Sequence, residues 1–316
     1  MTDRDAVLVT GARGFIGAWV VKALLTARRN VVALDQDPDG TRLAQVLEDD
    51  ETDLLTELAG DITVLDTMSE VLADHPIAAV IHLAALQVPA CAANPSLGAL
   101  VNVVGTTNVL IAARDAGLRS PVVYASSVAA LSPDGGVQPP STMYGIFKRA
   151  NEGTSYRMWT DEGVASIGIR PHTGYGVGRD QGLTSGPTKA MLHAAAGLPY
   201  HIAFGGSLQM QHGQDIAGVL VAAADSGYQG AVVLNLPTPA TDMATIVDCI
   251  EAAAPDSAGS ITFDETPLPF PPQPRFDDIE PILGVVPETP LEVGVDSTIR
   301  HFERLLDRGL IAPPRS

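Results

Sequence analysis

Tyr144 and Lys148 are two side chains whose types and spacing could carry acid–base chemistry. On a helix, positions i and i+4 share one face, so the ammonium can lie close to the phenol. A free tyrosine has a pKa of about 10, so a base that works near pH 7 to 8 needs a pKa lower by about 2 to 3. A nearby lysine charge favours the phenolate. The same spacing is also common in surface pairs, and by itself it supports either interpretation.

Two serines, Ser126 and Ser127, follow an apolar run that ends in Tyr124 and Ala125. In a doubly wound sheet, the carboxyl ends of the strands face the ligand. A hydroxyl at that place could donate a hydrogen bond to a substrate oxygen and stabilise its developing charge. The alternative is a serine that only caps the end of a strand.

Three glycines, Gly11, Gly14 and Gly17, form a G-x-x-G-x-x-G pattern between a strand-like run and a helix-like run. In a dinucleotide-binding loop the first glycine allows a tight turn. The second lets a pyrophosphate approach the backbone, and the third lets helix and strand pack closely. Backbone N–H groups and the positive end of the helix dipole would then face the phosphates. Taken alone, the pattern is equally typical of a structural turn.

Two carboxylates follow at the ends of the next two strand-like runs. Asp35 comes eighteen residues after Gly17, where an acid accepts hydrogen bonds from both ribose hydroxyls. Asp61 is expected to bind the adenine amine while Ile62 packs on the ring. Together with the glycines, these residues predict a dinucleotide site. Asp35 would repel a 2′-phosphate, whereas Arg13 could hold one; because the carboxylate faces that phosphate directly, we favour NAD over NADP.

Short apolar runs alternate with helix-like segments along the chain, as is needed to bring these groups to one edge of a sheet. The strand candidates are Ala6–Thr10, Val31–Leu34, Glu57–Gly60, Ala78–Leu83, Val122–Ser126 and Ala165–Ile169. The helix candidates are Phe15–Ala27, Asp39–Glu48, Asp66–Ala73, Leu97–Ala116 and Tyr144–Glu162. The strand runs are apolar almost throughout, which is typical of parallel strands covered on both faces. The order predicts an α/β fold, a Rossmann-type doubly wound parallel sheet.

The pattern changes after Arg170, where glycine and proline become frequent and the regular alternation stops. One more helix–strand pair is expected at Asp215–Ser226 and Ala231–Leu236, and an amphipathic helix at Val295–Arg308. We therefore predict an NAD-binding core at 1–170, to which 211–236 return. A smaller, discontinuous C-terminal lobe at 171–210 and 237–316 would bind the substrate.

The composition excludes several classes of partner. The chain of 316 residues has a formal net charge of −18, and so acidic a surface would repel nucleic acid. No uninterrupted run of about 18 apolar residues occurs and the first residues are charged, so we expect neither a membrane span nor a signal peptide. Cys91 and Cys249 lie in apolar surroundings and predict two buried, reduced thiols in a cytoplasmic protein. The seven scattered histidines predict no metal site.

These motifs occur in one order along nearly the whole chain, which resembles the extended short-chain dehydrogenase/reductase family in its epimerase/dehydratase-like branch. The residues that carry the resemblance are Gly11, Gly14, Gly17, Asp35, Asp61-Ile62, His82-Leu83-Ala84-Ala85, Asn102, Gly105-Thr106, Ser126-Ser127, Tyr144, Lys148, Arg170-Pro171, Tyr175-Gly176, Gln214-Asp215 and Leu283-Gly284.

The resemblance implies roles for these residues. Tyr144 would be the acid/base, Lys148 would tune it, and Ser127 would polarise the reacting oxygen. NAD would be the cofactor, and Asn102 looks like the family's structural asparagine beside it. A homodimer through the helices that carry Asn102 and Tyr144 is implied. The expected cofactor-site residues are Gly11, Arg13, Gly14, Phe15, Ile16, Gly17, Asp35, Asp61, Ile62, Leu83, Ala84, Ala85, Asn102, Ser126, Tyr144, Lys148 and Pro171.

Departures from the family narrow the reaction. The dehydratases carry Asp-Glu directly after the catalytic hydroxyl residue, whereas Val128 and Ala129 stand here, which argues against dehydration. Nucleotide-sugar epimerases carry an asparagine where Thr173 stands and a diphosphate-binding arginine where Leu208 stands. Two contacts with a nucleotide diphosphate are therefore missing.

The remaining residues near the expected site are small and polar. The substrate candidates are Gln87, Ser127, His172, Thr173, Arg179, Ser185 and Lys189. Arg179 or Lys189 could anchor a carboxylate; the alternative is that both are solvated or paired with Asp180, and His172 could be merely structural. We predict an NAD-dependent oxidoreductase of a secondary hydroxyl on a small polyol, sugar or sugar acid, most similar to sugar-acid dehydrogenases such as D-erythronate dehydrogenase. An epimerase that retains its NAD is the alternative, and a non-catalytic NAD sensor is a third class, against which the Ser127, Tyr144 and Lys148 set argues.

Overall fold

The computed structural model describes residues 5–47, 52–133, 138–268, 277–285 and 288–314. Seven parallel strands form the central sheet: β1 (Ala6–Thr10), β2 (Asn30–Asp35), β3 (Leu55–Ala59), β4 (Ile77–His82), β5 (Val122–Ala125), β6 (Ser166–Arg170) and β10 (Ala231–Asn235). Their order is β10-β6-β5-β4-β1-β2-β3. The predicted Rossmann-type sheet is thus confirmed. Strands β1 to β3 are added towards one edge of the sheet and the later strands towards the other, so the strand order reverses between β1 and β4. Such sheets bind ligands at this point, outside the carboxyl ends of the strands.

Helices cover both faces of this sheet because its strands are apolar on both sides. The helices of this half are α1 (Phe15–Thr26), α2 (Thr41–Val46), α3 (Leu65–Asp74), α4 (Val88–Ala93), α5 (Pro95–Ala99), α6 (Gly105–Asp115), α7 (Met143–Glu162) and α9 (Gly213–Asp225). On one face, Val7 and Val9 of β1 pack in a cluster with α1 and α9. On the other, Leu8 of β1 packs in a cluster with α3 and α6. Alternate residues of β1 thus pack in two separate hydrophobic cores, one on each face of the sheet.

Smaller elements lie beyond β6. A three-stranded sheet has the order β11-β9-β7, formed by β7 (Thr173–Tyr175), β9 (Ser207–His212) and β11 (Ala240–Asp242), and a parallel pair is formed by β8 (Tyr200–Ile202) and β12 (Ile261–Phe263). The helices here are α8 (Gly186–Ala195), α10 (Met243–Ala253), α11 (Glu280–Leu283) and α12 (Leu291–Asp307). The amphipathic helix α12 is confirmed, although it begins at Leu291 and not at Val295. It buries Ile299 and Phe302, whereas Leu306 is only partly buried. The division into an NAD-binding core and a substrate lobe remains a prediction. Strand β9 runs across the predicted boundary between residues 210 and 211.

Several expectations need correction. The third strand is Leu55–Ala59 and not Glu57–Gly60; it is the edge strand, whose half-exposed residues break the apolar pattern. The second helix is shorter than Asp39–Glu48, and Glu48 lies outside the described residues. An ordered helix, α8, lies where the alternation was expected to stop. Of the two thiols, Cys91 is buried, but Cys249 is only partly buried.

The segment predicted as one helix at Leu97–Ala116 begins with α5 and passes through a π-helical turn, Leu100–Val104, before α6. The carbonyl of Asn102 within this turn accepts hydrogen bonds from Thr106 Oγ1 at 2.7 Å and Asn151 Nδ2 at 2.8 Å. These side-chain donors satisfy the carbonyl within the wider turn. Within the described chain, Pro95–Asp115 is the one helical stretch whose length and composition would allow it to cross a membrane, and 56% of its most apolar 18-residue window is buried inside the protein.

Candidate active site

The carboxyl ends of the central strands open into one cleft at the point where the strand order reverses. Segments that follow β1, β2, β4, β5 and β6 line it, together with the first turns of α7. Most of the predicted site residues lie on its wall: Gly11, Arg13, Gly14, Phe15, Ile16, Gly17, Asp35, Ile62, Leu83, Ala84, Ala85, Gln87, Ser126, Ser127, Tyr144, Lys148, Pro171, His172 and Arg179.

Five predicted residues do not line this cleft: Asp61, Asn102, Thr173, Ser185 and Lys189. The Asp61 carboxylate accepts the Thr63 N–H at 2.8 Å and so holds the turn before α3. Asn102 is fully buried and bonds both the N–H and the carbonyl of Leu86, which fixes a residue of the cleft wall from behind. Their binding roles stay predictions, and for Asn102 the structure shows a positioning contact.

The glycine loop has the shape that a pyrophosphate requires. Gly11 has a φ of +67°, and a Cβ on it would lie 2.5 Å from the backbone N of Ala84. A Cβ on Gly17 would collide with the carbonyl of Gly11. A Cβ on Gly14 would approach one atom only, the Gly11 carbonyl oxygen at 3.1 Å, and would otherwise occupy open cleft. Because α1 begins at Phe15 without a capping side chain, its N-terminus faces this space and fits an anionic group.

Asp35 and Arg13 meet at the end of β2, and their contacts bear on the choice of dinucleotide. The two Asp35 carboxylate oxygens accept the backbone N–H groups of Arg13 and Asp37, each at 3.0 Å. Each oxygen can still accept a further hydrogen bond, as a ribose diol requires. The Arg13 guanidinium pairs with Glu57 at 2.7 Å and also donates to the Asp37 carbonyl. Arg13 is thus already neutralised by a carboxylate.

Tyr144, Lys148 and Ser127 come together where α7 meets the end of β5. The Thr142 side chain caps α7 by accepting the Gly145 N–H at 3.0 Å, and this fixes Tyr144 in the first turn. Lys148 Nζ donates to the Ala125 carbonyl at 2.6 Å and lies 5.5 Å from the centre of the Tyr144 ring. Ser127 Oγ accepts the Ala129 N–H at 3.1 Å, which orients the hydroxyl. The geometry therefore supports the catalytic assignment made from the motif.

Burial shifts the pKa values of both ionisable groups towards their neutral forms. It raises the pKa of Tyr144 to about 12, although the Arg179 charge and the Ser127 hydroxyl act in the opposite direction. It lowers the pKa of Lys148 to about 8, against the influence of the Cys91 and Glu152 charges. A phenolate at this site therefore needs positive charge close by.

Behind the cleft, an ion-pair network holds the ends of β5 and β6 against α7. Glu152 pairs with Arg170 through two hydrogen bonds of 2.6 and 2.7 Å, and it also accepts the hydroxyl of Ser126. Arg170 reaches Asn235 of β10 at 3.4 Å. Ser126 therefore lines the cleft, but its hydroxyl is directed to Glu152.

Sequence reasoning did not find several residues of the wall. Arg42 and Asp180 form an ion pair of 2.9 Å, and Thr184 accepts a hydrogen bond from Arg179 at 3.0 Å. Asp180 was expected only as a partner for Arg179 or Lys189, and the structure pairs it with Arg42. Arg42 belongs to no motif, so nothing local could have indicated it. Within the described residues, no group of three His, Cys, Asp or Glu side chains could hold a metal ion.

The comparisons with known proteins agree with this geometry. A model of the NAD-dependent epimerase/dehydratase family matches residues 7–234. The chain is 39% identical over 121 residues to UDP-glucose 4-epimerase of Mycolicibacterium smegmatis, and the match covers 38% of each protein. It is 29% identical over 246 residues to 2′-dehydrokanamycin reductase of Streptomyces kanamyceticus, covering 74% of this chain and 62% of the relative. These matches thus span less than two thirds of either relative's length.

Solved structures share the fold over nearly the whole chain. UDP-glucose 4-epimerase of Thermotoga maritima superimposes with a TM-score of 0.80 at 20% identity, covering 95% of this chain and 99% of that one. MoeE5 in complex with UDP-glucose and NAD gives a TM-score of 0.78 at 27% identity with the same coverage. L-threonine dehydrogenase of Clostridium difficile gives 0.80 at 20%, covering 98% and 99%. With the family match, the glycine cradle and the Ser/Tyr/Lys cluster in one cleft, the chain belongs to the NAD-dependent epimerase/dehydratase family and is an NAD-dependent enzyme.

Proposed function

We propose that this enzyme oxidises a secondary hydroxyl, or reduces the corresponding ketone, on a small polyol, sugar or sugar acid. The observation that carries the proposal is the convergence of Ser127, Tyr144 and Lys148 on the wall that also contains the glycine loop. A hydride acceptor must contact the C–H bond of the reacting carbon while an acid/base contacts its hydroxyl, and this cleft contains candidate residues for both tasks.

Tyr144, Lys148 and Ser127 have different roles in the proposed reaction, and their contacts support these roles. Tyr144 takes the proton of the substrate hydroxyl as the carbon–hydrogen bond breaks. Lys148 is fixed on the Ala125 carbonyl with its Nζ 5.5 Å from the centre of the Tyr144 ring, and it supplies positive charge to the phenol. Ser127 is oriented by its backbone contact and donates a hydrogen bond to the reacting oxygen. NAD supplies the hydride acceptor when it is bound.

A substrate without a nucleotide carrier is supported by the residues that stand where the diphosphate contacts of the epimerases would be. Leu208 is 1% exposed within β9, and Thr173 is fully buried. The neighbouring polar side chains are occupied: Gln211 accepts the His172 N–H at 2.8 Å, and Gln209 donates to the Thr238 carbonyl at 2.7 Å. Among the residues described in β9, none is a Lys or Arg that could bind a diphosphate.

An epimerase that retains its NAD is the second candidate. The ion pair between Arg42 and Asp180 favours it, because it links two segments of the cofactor wall and would slow the exchange of the dinucleotide. In that case the hydride returns to the same carbon, and the same three side chains serve both directions of proton transfer.

Incubation with NAD and a panel of four- to six-carbon polyols, sugars and sugar acids tests the proposal. Accumulation of NADH is expected for the oxidoreductase, whereas stereoisomers without NADH would identify an epimerase. Tyr144→Phe should abolish turnover and spare NAD binding, because it removes the one hydroxyl that takes up the proton and keeps the ring. Unchanged turnover in this variant would overturn the assignment of Tyr144.

We also propose a homodimer through the helices around Asn102 and Tyr144, as the family resemblance implies. Large apolar side chains are exposed on these helices: Leu97, Leu100, Val104, Met143 and Tyr156 are 42% to 57% exposed. Leu97, Leu100 and Val104 share one face by their spacing. Sedimentation analysis should give a dimer for the wild type and a monomer for Leu100→Glu.

We also propose that the enzyme is cytoplasmic, in keeping with its two unpaired cysteines.

A further inference from the structure

Arg179 is a cation of the cleft wall whose surroundings differ from those of its neighbours. Four Lys and Arg side chains line the cleft within the described residues: Arg13, Arg42, Lys148 and Arg179. Arg13 and Arg42 are paired with carboxylates, and Lys148 is held on a backbone carbonyl. Arg179 has no carboxylate within 4.0 Å among the described residues, although the protein has a net charge of −18.

The guanidinium of Arg179 is nevertheless held in a fixed place. Its Nη2 donates to Thr184 Oγ1 at 3.0 Å, and its Cζ lies 5.7 Å from the centre of the Phe15 ring. Gly182 packs so closely that a Cβ on it would lie 3.1 Å from Nη2. The Nε atom is buried without a hydrogen-bond partner. The Asp180 charge acts on Arg179 only from beyond ion-pair distance. A fixed, desolvated guanidinium without a carboxylate in contact is costly unless an anion binds beside it.

The position of Arg179 relative to Tyr144 indicates where such an anion would lie. Both side chains line the same cleft, and the Arg179 charge lowers the pKa of the Tyr144 phenol. The other groups that face the phenol are the Lys148 ammonium, the Ser127 hydroxyl and the Cys91 thiol, none of which is a free anion receptor. An anionic group held by Arg179 would therefore stand beside the carbon whose hydroxyl Tyr144 deprotonates.

We propose that Arg179 binds a carboxylate of the substrate, so that the enzyme selects a small hydroxy acid over the neutral polyol of the same length. This inference rests on the proposed function and names its substrate class. The planar guanidinium matches a carboxylate in a two-point contact, which also fixes the orientation of the neighbouring carbinol. In the reaction, the carbinol C–H bond gives its hydride to NAD⁺ and the O–H bond gives its proton to the Tyr144 phenolate. A ketone forms, and the carboxylate is unchanged.

Lys189 was the other candidate for this role. It lies on α8 and does not line the cleft. Of these two cations, Arg179 is therefore the one that shares the cleft lining with Tyr144.

Matched pairs of aldonates and polyols, of four to six carbons and the same configuration, test the proposal on wild type, Arg179→Gln and Arg179→Lys. In Arg179→Gln, KM for an aldonate should rise about 10- to 100-fold, because a charge-assisted hydrogen-bond pair is lost. For the matched polyol, KM should change less than about twofold. Arg179→Lys should recover part of the aldonate preference, since it keeps the positive charge but cannot make the two-point contact of a guanidinium. Arg300→Gln, which changes an exposed cation paired with Asp296 on α12, is the matched control and should equal the wild type.

Binding to the inactive Tyr144→Phe enzyme with NAD provides a readout that does not need turnover. Calorimetry should detect aldonates and not polyols, and the further change Arg179→Gln should remove that binding. The proposal is overturned if no aldonate of the panel binds, or if aldonates and polyols lose affinity equally. It is also overturned if Arg179→Gln weakens NAD binding tenfold without changing the discrimination, since the guanidinium would then serve the cofactor. Binding that depends on Arg179, without NADH formation by the wild type, would uphold the carboxylate site and reject the proposed oxidation.

Discussion

Arg42 and Asp180 lie 138 residues apart in the chain and form an ion pair that joins two segments of the cofactor cleft. Arg42 Nη2 lies 2.9 Å and 3.1 Å from the two carboxylate oxygens, and Arg42 Nε contributes a third hydrogen bond of 3.1 Å. Arg42 also reaches the Arg13 carbonyl of the glycine loop at 3.5 Å. The pair therefore connects the glycine loop with the segment that carries Arg179.

Asp180→Asn should speed the release of NADH. The pair is partly exposed, so its loss should increase the dissociation rate only about two- to fivefold, and less at high salt. Stopped-flow fluorescence of bound NADH measures this rate. Asp296→Asn, which breaks an exposed pair on α12, should leave the rate unchanged. Equal rates for the wild type and Asp180→Asn would show that the two segments separate independently of the pair.

Gly14→Ala should fold normally but bind NAD at least about tenfold more weakly. The added methyl group meets only the Gly11 carbonyl within the protein and otherwise enters the space expected for the pyrophosphate. Equilibrium binding of NADH and thermal unfolding are the two measurements. Gly40→Ala, at the start of α2 with no atom within 4 Å of its Cβ, should preserve both. Wild-type affinity in Gly14→Ala would contradict the cradle.

The preference for NAD over NADP should depend on both Asp35 and Glu57. Asp35→Ser removes the carboxylate that repels a 2′-phosphate, and Glu57→Gln releases the Arg13 guanidinium from its ion pair. Each change should lower the ratio of the NADP to the NAD dissociation constant by about fivefold or more, and the double variant should lower it most. Binding titrations with NADH and NADPH give the ratio. Asp53→Asn, which breaks an exposed pair with Arg28, is the control.

The buried ammonium of Lys148 should make stability depend on pH. Burial lowers the pKa of Lys148 from 10.5 to about 8, so between these values the unfolded chain binds a proton that the native protein does not. The contribution of Lys148 to the free energy of unfolding should therefore rise with pH across this window. Below pH 8 the native protein bears the full cost of burying the charged ammonium. Relative to Lys148→Met, the NAD-free wild type should gain about 2 kcal/mol between pH 8 and 10. Urea unfolding of both proteins at each pH measures the difference, in which other titrating groups cancel. Parallel pH curves would contradict the lowered pKa.

Glu152→Gln should destabilise the protein by about 2 to 4 kcal/mol, because it leaves Arg170 without its carboxylate in a largely buried site. The side chains of this pair are only 16% and 12% exposed, and Glu152 also accepts the hydroxyl of Ser126. Chemical unfolding provides the measurement. Asp161→Asn breaks the pair with Arg157 on the same helix, whose side chains are 48% and 67% exposed, and should cost less than about 0.5 kcal/mol. A similar small loss in Glu152→Gln would mean that Arg170 is held by Asn235 alone.

Local patterns were sufficient for the central sheet and for most of the residues that line the cleft. The glycines before α1, Asp35 at the end of β2, and Tyr144 with Lys148 on α7 are recognised from spacings within one strand, turn or helix. Errors arose where local signals are weak. The edge strand β3 is half-exposed, and the π-helical turn around Asn102 depends on side-chain donors from α6 and α7.

The sequence by itself determined that strands and helices alternate, that a glycine turn precedes α1, and that a serine, a tyrosine and a lysine follow at family spacing, because each of these depends on residues close together in the chain. Only the tertiary structure decided which charges are paired. Arg13 joins Glu57, Arg42 joins Asp180, and Arg179 has no carboxylate partner among the described residues. These choices depend on side chains brought together from distant segments, and no spacing rule records which of several acids a cation will meet.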